Sequence, residues 1–259
     1  MAPPRVVFLM YHELEIPGRS LCHTQPGYVR YILSYDRFRS QMDWLVRDGW
    51  LGLSVGDALA YPSGQSVAIT FDDGCETDLV TAAPLLKERG LGATFYITTG
   101  FVGNPGYMSA AQLRELRALG FELGCHSMTH AYLDDLDESA LRREILDAGR
   151  KLEDIIGGRV EHFSCPGGRY NKKARTLARE AGYRSLATSR AHANSPATNP
   201  YLLGRVAIMR DINNSAFSRV CSGSGLWRTR LGESVRGATR RVLGNSLYDE
   251  FRGRLLGQD

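Results

Sequence analysis

SVAITFDDG, residues 66–74, is the stretch from which the architecture can be read. A short β-branched run ends at Phe71, the mark of a buried strand, and delivers Asp72 and Asp73 to its end. Neighbouring strand residues point to opposite sides, so two adjacent carboxylates at a frayed strand end can divide the work: one binds a cation and the other moves protons. FELGC, residues 121–125, is again short and apolar, and it leads into HSMTH, His126 to His130. Two imidazoles four residues apart share one face of a single turn and can converge on a cation. Imidazole nitrogen with carboxylate oxygen suits zinc, and also cobalt, nickel or iron, better than calcium. Alone, a DDG triplet reads as a turn and an HxxxH pair as a helix surface. Together, each after an apolar strand, they point to a metal-dependent hydrolase.

The rest of the chain alternates as a parallel barrel requires. VVFLMYH at 6–12 reads as a strand, followed by an irregular aromatic loop from Glu13 to Leu33 and an amphipathic helix near Tyr35–Asp48 with Phe38, Met42 and Leu45 on one face. LGL at 51–53 reads as a strand and SVGDALAY as a short helix; a helix through Leu79–Arg89 contains Pro84. ATFYI, FELGC, HFSC and YRSLAT read as further strands, with helices capped by Ser109, running from Asp137 to Ile156, and over KKARTLAREA. Every chemistry-bearing residue follows a strand, which is the active face of a (β/α) barrel, and 259 residues match the roughly 250 of that fold.

TFDDG, HSMTH and FSCPGG, the last at Phe163–Gly168, resemble the first three motifs of the polysaccharide deacetylase family (carbohydrate esterase family four, or NodB homology domain), across about residues 6–208. The resemblance implies an α/β fold, a distorted (β/α) barrel with parallel strands, and a metal-dependent deacetylase. It implies Asp72 as general base, Asp73, His126 and His130 as metal ligands, and Pro166, Gly167 and Gly168 as the substrate-facing turn, with the Gly167 N–H as an oxyanion donor.

Two departures from the family pattern follow. Many members begin the third motif with an Arg that steadies the base, whereas Ser164 and Cys165 stand there in this chain; Arg205, in LLGRVAI, is the candidate substitute. The family's late leucine-rich strand with a catalytic His is absent near the C-terminus, but VVFLMYH at the N-terminus has that pattern, as a circular permutation would require. This order resembles the poly-N-acetylglucosamine deacetylase branch and makes His12 the candidate general acid, with His192 as the substitute. A carboxylate base with an imidazolium acid predicts a bell-shaped pH profile.

The domain expectation is a barrel over 1–214 and a basic amphipathic helical tail over 215–259, where Arg228, Arg230, Arg236, Arg240 and Arg241 interleave with apolar residues. Such a stripe either packs on its own barrel or lies on an anionic membrane surface. A net charge of +4 with no nucleic-acid motif argues against DNA or RNA as a partner. Five cysteines without a CxxC pair fit a reducing compartment, and the apolar start is too short for a signal peptide, so a cytoplasmic location is expected. Cys75, Cys125 and Cys165 lie beside the motifs, either as buried packing residues or as alternative soft ligands. The expected substrate is an acetamido sugar in a polysaccharide, lipid-linked sugar or glycoconjugate precursor. The competing functions are a deformylase or other small-molecule amide hydrolase, and an inactive sugar-binding barrel.

Overall fold

The computed structural model describes residues 3–226 and residue 230. Ten strands are present among them: β1 (Val7–Tyr11), β2 (Leu14–Glu15), β3 (Leu33–Ser34), β4 (Leu51–Leu53), β5 (Ser66–Phe71), β6 (Thr94–Ile97), β7 (Glu122–Cys125), β8 (His162–Ser164), β9 (Ser185–Ala187) and β10 (Val206–Ala207). The main sheet runs β10-β1-β5-β6-β7-β8-β9, and all its strand pairs are parallel. It curls until its edges meet through one segment: Leu203 bridges Ala187 of β9, and Val206 pairs with Leu9 of β1. β4 takes the first half of β5 and β6 the second half, which splits and distorts the barrel.

The strands are buried on both faces, and their period of two sorts residues into two layers. Val7, Leu9 and Tyr11 of β1, Val67, Ile69 and Phe71 of β5, and Phe95 and Ile97 of β6 join the larger core beneath the helices. Val6, Phe8, Ala68 and Tyr96 form the smaller cluster inside the barrel with Ala187 and Leu203. Gly124 of β7 also faces inward; a Cβ there would fall on the Tyr96 ring and come within 3.0 Å of the His162 carbonyl, so the barrel closes tightly only around a residue without a side chain. Extending each inward row by one step beyond its strand gives His12, Asp72 and His126.

The expected helices form, with Tyr35–Arg47 burying Phe38, Gln41, Met42 and Leu45. Ser109 makes a full capping box with Gln112, and Asp137 caps the helix that reaches Ile156. The helix carrying Pro84 widens over Asp78–Ala82, the turn that must accommodate a ring lacking an N–H. Asn214–Cys221 is helical and buries Phe217 and Cys221, so the start of the expected tail belongs to the barrel core. Except for Arg230, the basic residues that defined that tail lie outside the described residues.

Candidate metal centre and the carboxylate beside it

His12, Asp72, Asp73, His126 and the turn beginning at Pro166 all gather at the C-terminal ends of their strands. Asp73 is 1% exposed and one of its oxygens, Oδ1, has no hydrogen-bond partner. The Nε2 atoms of His126 and His130 lie 3.6 and 3.4 Å from that oxygen. His126 Nδ1 donates to the Ser164 carbonyl at 2.9 Å, which leaves the Nε2 lone pair facing Asp73. Burial brings the His126 pKa down to about 4, against the pull of the two aspartates, so the ring stays a neutral donor of electrons. An unpartnered buried carboxylate oxygen ringed by two imidazole nitrogens fits a divalent ion of the zinc class.

The two histidines do not share a helical turn. HSMTH is a loop in which Ser127 and His130 adopt φ of 69° and 64°. Together with Asp73 at 80° they are the only non-glycine residues of positive φ among those described, and all three sit at this centre. Glu144, 1% exposed, supports the loop by accepting from the Met128 N–H at 3.0 Å, and from the Thr129 N–H and Oγ1, both at 2.8 Å. Ser127 Oγ accepts the His130 N–H at 3.1 Å. Glu144→Ala removes three hydrogen bonds that hold this loop and is expected to cost about 1–3 kcal/mol, measurable by urea unfolding of the metal-free protein, with weaker metal retention as the second sign.

Asp72 lies on the inward row, and Arg205 meets it there. The guanidinium is completely buried, not a surface ion pair, and reaches both carboxylate oxygens, NH1 to Oδ1 at 2.6 Å and NH2 to Oδ2 at 2.8 Å. NH2 also donates to Ser164 Oγ at 2.6 Å, so the small residue at the start of the third motif makes room for an arginine arriving from elsewhere in the chain. Burial opposes the Asp72 charge, but Arg205, His126 and His12 outweigh it and hold the carboxyl well below its ordinary range.

His12 directly follows β1 with Nδ1 buried and unpartnered, and the charges of Asp73 and Asp72 act on it. Burial lowers its pKa while the two carboxylates pull it back up. His192 lies elsewhere: its ring lies against the Gly204 backbone, and nearby Asn194 pairs with Val6 at the opposite, N-terminal end of β1. Of the two histidines expected as acid, only His12 is brought to the centre.

Pro166–Gly168 forms a tight turn with Gly167 and Gly168 at φ of 57° and 67°. A Cβ on Gly167 would press on Tyr132, whose ring carries the Arg169 guanidinium at 3.7 Å. Tyr28 was not legible in the sequence: its hydroxyl donates to Asp73 Oδ2, reaching in from the irregular loop. Tyr31 lies 5.2 Å from the His12 ring and Phe101 6.4 Å from the His130 ring, so half-buried aromatic residues rim the centre. Tyr28→Phe removes one bond to Asp73 and is expected to weaken metal retention about tenfold or more, as read by competition with a chromogenic chelator.

The polysaccharide deacetylase family model matches residues 60–186, which span all three motifs but stop short of His12 and Arg205 on either side. The Bacillus subtilis protein YxkH, which carries the polysaccharide deacetylase name, is 27% identical over 221 residues, covering 83% of this chain and 75% of its own. The poly-beta-1,6-N-acetyl-D-glucosamine N-deacetylase of Staphylococcus aureus is 26% identical over 200 residues, covering 70% and 69%. In fold, the Streptococcus pyogenes deacetylase PplD, solved with acetate, superposes with a TM-score of 0.76 at 22% identity, covering 85% of this chain and 99% of that one. With the motifs, the curled parallel sheet and the assembled centre in agreement, this chain is similar to the polysaccharide deacetylase family across all three of its motifs.

Proposed function

We propose that this protein hydrolyses the N-acetyl group of an acetamido sugar in a polysaccharide, lipid-linked sugar or glycoconjugate. The observation that carries the reading is the pairing of Asp72 with Arg205 directly beside the Asp73, His126 and His130 cluster. Binding alone needs no second carboxylate held ionised next to a ligand set, whereas hydrolysis of an amide does. A zinc-class ion held by Asp73, His126 and His130 supplies Lewis acidity and a water of lowered pKa.

Asp72 accepts the proton of the attacking water, and Arg205 keeps that carboxylate ionised and oriented until it does. The Gly167 N–H meets the developing oxyanion from the third-motif turn. His12 donates a proton to the departing amine, a necessary step because an amine leaves poorly as an anion. Its position on the inward row two strand steps beyond Phe8 places it beside Asp72. Tyr28, Tyr31, Phe101 and Tyr132 offer flat apolar surfaces to the faces of sugar rings, and Pro166 and Gly168 shape the same wall.

The test is acetate release from N-acetylglucosamine oligomers, lipid-linked sugars and nucleotide sugars, with matched N-formyl sugars alongside and a chelator as control. Chelator-sensitive acetate release, restored by zinc or cobalt, is the expected result. Formate release alone would assign the chain to deformylation. Retained metal with no product from any member would sink the hydrolase reading in favour of a sugar-binding barrel.

A further inference from the structure

A second group of side chains of metal-ligating type lies near the Asp73 turn, and the hydrolysis described above uses none of it. Glu13, Cys22 and Cys75 bring a carboxylate and two sulfurs within 4.8 Å of one another. Glu13 and Cys75 are each 1% exposed. The Glu13 carboxylate already holds the incoming loop by accepting the Cys22 N–H at 3.1 and 3.0 Å, and Cys22 Sγ lies 3.3 Å from the Gly106 carbonyl. The remaining cysteines beside the motifs differ in kind: Cys125 and Cys165 pack in the apolar layer under the helices.

An independent observation comes from Asp78. It is completely buried, and neither carboxyl oxygen has a hydrogen-bond partner. Its N–H donates to the Cys75 carbonyl at 3.0 Å, which sets it one turn beyond that residue, and the charges that bear on it are those of Asp73 first and then of Cys22 and Glu13. Burying a carboxyl with no partner is costly, and two thiols and a second carboxyl offer it no counter-charge. Arg19, the cation that acts on Glu13, is engaged by Glu76.

We propose that Glu13, Cys22 and Cys75, with the buried Asp78 carboxyl near them, form a second cation site, containing sulfur and selective for a borderline-soft divalent ion of the zinc class. Two sulfurs and a carboxylate are a ligand set of the zinc class, and its sulfur content sets it apart from the Asp73, His126 and His130 centre. Binding releases the two thiol protons, and the bound cation gives the nearby Asp78 carboxyl a counter-charge. The ion ties the Glu13–Leu33 loop, which carries Tyr28 and Tyr31, to the turn that carries Asp72 and Asp73.

Cobalt(II) is the probe, because thiolate-to-cobalt charge transfer gives a near-ultraviolet band and the Asp73, His126 and His130 centre contains no sulfur. The full chain, reduced, is titrated as wild type and as His126→Ala. The expected result is a sulfur band saturating at one ion per chain in both, bleached by zinc, with cobalt affinity at least about tenfold lower in Cys22→Ser and in Glu13→Gln. Cys22 is a half-buried loop residue, and circular dichroism confirms that its variant is folded. Five countable thiols with no band in the wild type, or a band of unchanged intensity and affinity in folded Cys22→Ser, would overturn the proposal.

Discussion

Asp72→Asn is expected to lower acetate release by about two to four orders of magnitude while metal content per chain stays at the wild-type level. The first half of that expectation follows from the base's role, and the second from geometry: the oxygen facing both imidazole Nε2 atoms belongs to Asp73, and Asp72 is instead committed to Arg205. His126→Ala should behave differently and lose metal and turnover together, since its Nε2 is one of the two nitrogens at that oxygen. Elemental analysis alongside initial rates separates the cases. Turnover above a tenth of wild type in Asp72→Asn would move the base elsewhere.

The second large effect concerns Arg205. Arg205→Met leaves the Asp72 carboxylate buried without its partner, and the expected cost is about 3–5 kcal/mol in unfolding free energy. Lysine does not rescue it, because a point ammonium cannot bridge both carboxylate oxygens and Ser164 Oγ from one plane. The double variant Asp72→Asn, Arg205→Met removes both charges and should be more stable than the sum of the single effects allows, while remaining inactive. Additive effects in urea unfolding would mean that the pair is not a coupled unit. Turnover is lost in Arg205→Met through Asp72, which takes up a proton when its counter-charge is gone, so Arg205 acts as a positioning residue.

The parts of the centre that were legible in the sequence are those where local pattern and chemistry coincide. Asp72 and His126 each follow directly on an apolar run, and the run itself sets which side they face, with Asp73 and His130 close behind them in sequence. Arg205 was legible only as a candidate, because no local signal says that it meets a carboxylate 133 residues away. The shape of HSMTH was misread as a helical turn: side-chain acceptors from Glu144 and Ser127 bend the backbone into left-handed conformations that spacing alone does not encode. Tyr28 escaped notice because its loop has no hydrophobic period to place it.

The separation of the strands into an inward and an outward row has a consequence for how the gene can change. Because His12, Asp72 and His126 continue inward rows, removing or adding one codon within β1, β5 or β7 would exchange a catalytic side chain for a core one, presenting Phe71 or Cys125 to the cavity and driving a charge into the apolar layer. Inheritable changes of length should therefore accumulate in the connections, such as 189–200, and spare the strands, where parity and not composition is the stricter constraint.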